Sequence, residues 1–182
     1  MTFAIRSHRR LLAGALAAAA AGSFAQAAHA GPDGPDVPTR IQVEQGNKVF
    51  MVRHATGAQI YTCNGASWGP STPRANLYDD IGALRGTHFG GPTWQDQDGS
   101  KVVASRVDGV TLDPTAVPWL LLKKADASAG ADGDRLTNTT FIQRVATTGG
   151  IAPPAADCNA VTAGTKAEVP YTADYYFWKK TG

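Results

Sequence analysis

The residues best suited to chemistry lie in one run, Gly86-Thr87-His88-Phe89-Gly90-Gly91-Pro92-Thr93-Trp94. A single imidazole, whose charge state changes near neutral pH, is flanked there by glycines and aromatic rings. Glycines let a ligand approach the backbone, and loops carried on a rigid sheet often host function. Further along, Arg144 stands inside the strand-like Phe141-Ile142-Gln143-Arg144-Val145, and Tyr175 and Tyr176 belong to an aromatic C-terminal run. His88, Trp94, Arg144, Tyr175 and Tyr176 are therefore the candidate ligand-binding residues. The plain alternative makes His88 a buried, hydrogen-bonded core histidine and its glycines turn residues. Arg144 likewise has two readings. The expected one is a wall charge paired with an Asp; the other is an anchor for an anion.

Other chemistries find less support. His54 and His88 are too few for a transition-metal site, which takes three or four protein ligands, so no metal or other cofactor is expected. Asp96-Gln97-Asp98-Gly99-Ser100 opens like a calcium loop but lacks the later bidentate Glu, and it reads better as a hairpin turn. The GxSxG match Gly65-Ala66-Ser67-Trp68-Gly69 lies in the loop 64–70 that ends at Pro70, not on a strand-to-helix turn, and no GxGxxG follows a strand, which argues against a serine hydrolase of that type and against a dinucleotide fold. Glu44 and Glu168 are the only glutamates, leaving an Asp pair as the one carboxylate route to glycoside hydrolysis. Among the tryptophans, Trp119 in an apolar run reads as core, and Trp68 in the loop 64–70 as the exposed ring. Exposed rings could stack on sugars.

The elements that must hold these residues are short strands. Lys48–Arg53 and Gln59–Cys63 are rich in β-branched and aromatic residues, with Ala55-Thr56-Gly57-Ala58 as a candidate hairpin turn between them. Ile41–Val43, Ala75–Tyr78, Gly86–Phe89, Thr93–Gln95, Lys101–Val107, Trp119–Leu122, Thr139–Val145 and Tyr171–Trp178 complete the expected set, with long loops over 125–134 and 149–164. Outside the N-terminal segment no window keeps a helical period. The 20 glycines and 11 prolines punctuate the chain about as often as an all-β fold requires. The expectation is a single all-β domain over 40–182, an antiparallel sandwich or flattened barrel with long loops.

Residues 1–30 read as a cleavable export signal. Arg6, His8, Arg9 and Arg10 precede an apolar run from Leu11 to Ala21, and small-x-small sites end at Ala27 and Ala30. The run is too short to span a bilayer, which takes about 20 residues, so a secreted or periplasmic protein that does not span the membrane is expected. Arg9-Arg10 leaves the Sec and twin-arginine routes both open. Residues 31–39 read as a disordered Pro/Gly-rich leader. The formal charge of +2 owes much to the signal: without its three arginines, 14 basic residues face 15 acidic ones. That balance offers no footprint for nucleic acid. Cys63 and Cys158, the only cysteines, read as one disulfide in an oxidising compartment.

Several segments taken together resemble the exported domain-of-unknown-function family 3455, found in bacterial and fungal proteins. They are Tyr61-Thr62-Cys63, the run from Gly86 to Trp94, Asp98-Gly99-Ser100, Val117 to Leu122, Phe141 to Gly150, Pro153-Pro154 with Cys158, and Val169 to Phe177. The resemblance spans roughly Gln42 to Trp178. It implies export and the two-cysteine pattern, and it brings no activity or catalytic residue with it. Function is therefore expected at the level of a non-enzymatic binding or envelope-associated domain, for a carbohydrate or a small anion. The alternative is a small secreted enzyme with His88 as general acid or base and Arg144 holding an anionic group.

Overall fold

The computed structural model describes Met1 and residues 33–182, so all of the expected export signal after Met1 lies outside the described residues. Eight strands account for most of the rest: β1 (Asn47–Thr62), β2 (Thr72–Tyr78), β3 (Leu84–Phe89), β4 (Thr93–Asp96), β5 (Lys101–Val110), β6 (Trp119–Ser128), β7 (Phe141–Gly149) and β8 (Lys166–Lys180). Each pairs antiparallel with its sequence neighbour, and β1 pairs with β8 from Asn47↔Lys180 to Thr62↔Lys166. The sheet thus closes on itself as a barrel, which removes the exposed edges of an open sheet. The all-β architecture is the one expected, in its barrel form.

Strand alternation sorts side chains between two apolar layers. Met51, Ala55, Leu77, Trp94, Val102, Ala104, Leu122, Ile142, Tyr175 and Phe177 fill the interior. The intervening residues of β6–β8 face outward: Leu121, Phe141 and Val145, with Trp119, Tyr176 and Trp178 packed beside them. This outer layer is covered by the segment ahead of β1. Val37 and Ile41 are buried against it, Gln143 Nε2 donates to the Ile41 carbonyl (2.7 Å), and Trp178 Nε1 donates to Gln143 Oε1 (2.9 Å). Residues 33–39 were expected to be part of a disordered leader; instead they form a strap whose apolar side chains have a partner surface. Thr39–Ile41 is a 3-10 turn rather than the start of a strand. Trp119 is only half-buried and belongs to this outer layer, not to the interior.

β1 also departs from expectation. Ala55-Thr56-Gly57-Ala58 does not turn; it continues one sixteen-residue strand that pairs on both sides. Gly57 sits where β2 comes closest: a Cβ there would lie 2.1 Å from the Arg74 carbonyl oxygen. Its glycine reflects crowding of strands in a small barrel rather than a bend. The Asp96–Ser100 hairpin forms as expected, with Gly99 at φ 82° and Asp96 N–H donating to the Ser100 carbonyl. β6 runs on to Ser128, so the loop expected from 125 begins later.

Cys63 and Cys158 are disulfide-bonded, with Cα atoms 5.4 Å apart. The bridge ties the end of β1 to the connection between β7 and β8. That connection is further held by Trp68 Nε1, which donates to the Pro154 carbonyl (3.2 Å). Trp68 is thus half-buried and anchored rather than a free ring.

Candidate functional site

The ends of β1, β3 and β5 and the starts of β2, β4 and β6 meet at one end of the barrel. A cavity of about 360 Å³ opens there. Strand alternation delivers its lining: Gln59 from β1, Pro73 from β2, His88 from β3, Trp94 from β4, Arg106 from β5, and Leu120 and Leu122 from β6. Arg144 and Tyr175 complete it from β7 and β8, where they are register partners, and Pro70, Ser71 and Pro92 form the rim. Four of the five residues singled out in the sequence therefore converge. Tyr176 does not: one step along β8 from Tyr175, it faces the outer layer near Asp174 and Asp80.

His88 is buried (3 % exposed) and stacked on Trp94, with ring centroids 4.2 Å apart and planes 12° apart. Tyr175 meets both rings edge-on. His88 Nδ1 lies 2.8 Å from the Thr93 carbonyl, which can only accept, so Nδ1 carries the proton and Nε2 the lone pair. Burial pushes the imidazole pKa down to about 3; the Thr93 bond opposes that shift and the Arg144 charge adds to it. The ring is therefore a neutral acceptor at Nε2 throughout the physiological range. Core packing and site lining, which the sequence posed as alternatives, are combined in this one residue.

Arg144 departs from the expected pairing with an Asp. Its Nε and Nη2 both donate to the Pro118 carbonyl (3.0 and 2.8 Å), and no carboxylate of the described residues reaches it as an ion-pair partner. Its charge is felt by His88, Tyr171 and Tyr175 together, which places the guanidinium over the interior. Burial keeps the hydroxyls of Tyr171 and Tyr175 protonated, raising both above the ordinary phenol value. Arg106 is a second lining cation; it is exposed and makes no direct ion pair among the described residues, although its charge helps hold Asp108 below the usual carboxylate range. The acids that pair with arginine are outside the lining: Asp108 with Arg40, Glu168 with Arg74, Asp79 with Arg85, and Asp96 with both Arg53 (3.3 Å) and Arg135 (3.5 Å).

Two donors in the lining have nothing to bond. Gln59 Nε2 and Trp94 Nε1 are buried without a partner, although Gln59 Oε1 accepts from Ser71 (2.6 Å). A buried unpaired donor costs about 1–3 kcal/mol; both nitrogens lie beneath the surface of the chamber, and Gln59 is near enough to the Tyr171 hydroxyl to favour its ionised form. Gln59 and Arg106 were not singled out in the sequence. Their phase could have found them: Gln59 alternates with Tyr61, and Arg106 with Val102 and Ala104, in strands that were recognised. His54 lies outside the barrel, bridging Asp174 (2.7 Å) and Asp80 (3.0 Å). No cluster of three or more His, Cys, Asp and Glu side chains suited to a metal occurs among the described residues, and no helix there is long and apolar enough to cross a membrane.

Fold and lining together define a closed eight-stranded barrel with a cation-bearing, largely apolar chamber at one end. The chain belongs to the DUF3455 family of proteins of unknown function, whose model matches residues 44–179. No curated protein and no solved structure matches it.

Proposed function

We propose that this protein is an exported carrier of small organic anions, periplasmic or secreted, which holds its ligand in the barrel chamber and performs no reaction on it. The observation that carries this reading is the pair of guanidinium groups, Arg106 and Arg144, beside a cavity whose lining contains no acid. Arg144 is half-buried without a counter-ion among the described residues and Arg106 is exposed beside it; an anion would supply the missing charge, and arginine suits carboxylates because its planar fork matches them. Pro70, Pro73, Pro92, Leu120 and Leu122 give the rest of the lining an apolar character, which favours a ligand with an apolar body. The disulfide supports an oxidising location. A carrier is favoured over an enzyme because a histidine with a pKa of about 3 is a poor proton acceptor near neutral pH, where general bases work best with pKa values near the working pH.

Benzoate and its neutral isostere benzamide test the proposal by calorimetry and thermal unfolding. Benzoate is expected to bind and raise the melting temperature as its concentration passes the dissociation constant, with benzamide at least tenfold weaker. Arg144→Met is expected to remove that preference. Equal binding of acid and amide, or no response to benzoate at millimolar concentration, sinks the reading.

A further inference from the structure

The chamber also specifies what its anion must carry besides a negative charge. The side-chain nitrogens of its lining residues are almost all donors: the guanidinium groups of Arg144 and Arg106, with the amide of Gln59 and the indole of Trp94 buried beneath its surface. The exception is His88 Nε2. The Thr93 carbonyl holds the proton on Nδ1, and Nε2 has no hydrogen-bond partner among the described residues. A carboxylate oxygen placed against Nε2 would set lone pair against lone pair, whereas an O–H or N–H would complete the bond. The acceptor is also held firmly. His88 is packed against Trp94 and Tyr175, which fix the plane of the ring, and a half-turn within that plane would break the Nδ1 bond to Thr93.

Resting on the organic-anion reading above, we propose that the chamber selects hydroxylated carboxylic acids with a flat apolar body: the carboxylate lies on Arg144, and a hydroxyl elsewhere on the ligand donates to His88 Nε2. A flat body suits a chamber bordered by the proline rings of Pro70, Pro73 and Pro92. A volume of about 360 Å³ is at the small end of ligand pockets and suits a compound of one or two rings. Burial that keeps the imidazole neutral makes this demand constant across the pH range in which the protein works.

Benzoate, its 2-, 3- and 4-hydroxy derivatives and the matching methoxy derivatives, which cannot donate, separate this proposal from the one beneath it. Calorimetric titration of the full-length mature protein should show at least one hydroxybenzoate binding tenfold or more tightly than benzoate, with the matching methoxybenzoate no tighter than benzoate. Tenfold corresponds to about 1.4 kcal/mol, the size expected when an unpaired acceptor in a cavity gains a donor. In His88→Phe, which keeps a ring on Trp94, the ratio of hydroxybenzoate to benzoate affinity should fall to near one. If benzoate binds in an Arg144-dependent way but no hydroxy isomer exceeds it, or a methoxy compound matches its hydroxy partner, the hydroxyl requirement is wrong and the carrier reading stands. If the preference survives in His88→Phe, the acceptor has been misassigned. If none of the acids binds, both proposals fall.

Discussion

Acidification should unfold this protein partly through one side chain, His88. In the folded state its pKa is about 3, because burial excludes the charged form. In the unfolded chain it returns to the ordinary value near 6.5. Below 6.5 the unfolded state therefore binds a proton that the native state refuses, and stability falls with falling pH until the native imidazole itself titrates. Between pH 5.5 and 4.5 the unfolded ring is almost fully protonated and the native ring almost fully neutral. The loss there is about 1.3 kcal/mol per pH unit, close to the 1.36 kcal/mol limit for a single proton, and from pH 6.5 to 4.5 it totals about 2.3 kcal/mol. Carboxylates held below their usual range, such as Asp79, Asp98, Asp108 and Asp113, add acid sensitivity mainly near and below pH 4.5. The informative quantity is thus the difference between wild type and His88→Phe. Urea unfolding at half-unit pH steps should give the wild type a steeper slope by about 1.3 kcal/mol per unit between pH 5.5 and 4.5, whatever the variant's absolute stability. Parallel slopes would refute the claim that His88 is buried and neutral. An imidazole NMR signal of His88 that titrates near pH 6 would refute it as well.

Three further outcomes are expected. His54 behaves in the opposite sense: the hydrogen bond to Asp174 chiefly, aided by Asp80, raises its pKa against a partial desolvation. Its contribution is therefore full below the unfolded value near 6.5 and is lost as pH rises through the higher folded value, so His54→Gln should flatten the decline in urea midpoint between pH 6 and 8.5; an unchanged decline would dissociate the Asp80 and Asp174 contacts from stability. Replacing both cysteines by serine should cost about 4–5 kcal/mol, because the bridge closes a 95-residue separation and constrains the unfolded chain accordingly; a loss below about 1 kcal/mol would show that the barrel holds the β7–β8 connection without it. Ala146, exposed at φ 49° in the irregular stretch of β7, should be improved by Ala146→Gly by up to about 1 kcal/mol in thermal unfolding, since a Cβ is strained in that region and no packing is lost; a lower melting temperature would contradict the assigned backbone.

Much of the candidate site was legible as residue types but not as an assembly. His88 and Trp94 stood out because they share a short segment, and they stack because β3 and β4 pair them in register. Arg144 and Tyr175 are thirty-one residues apart in the chain, and only the β7–β8 ladder makes them neighbours. Choosing Tyr175 over Tyr176 required the phase of β8, which a run of consecutive aromatics conceals. The alternation of β1 was also hidden, since Gly57 and its small neighbours imitate a turn until two flanking strands show why no larger residue fits.

What the amino-acid sequence determined by itself is local. Period-two patterning, turn residues such as Asp98-Gly99 and the absence of helical windows dictate an all-β chain, and two cysteines leave one possible intramolecular bridge. What only the tertiary structure decided is how distant strands close into a ring. Closure aims alternate residues at a shared interior, deprives Arg144 of the carboxylate it was expected to meet, and buries His88 deeply enough to keep it neutral. Each of those properties depends on groups far apart in sequence, through desolvation and Coulomb interactions set by three-dimensional distance, and no local pattern encodes them.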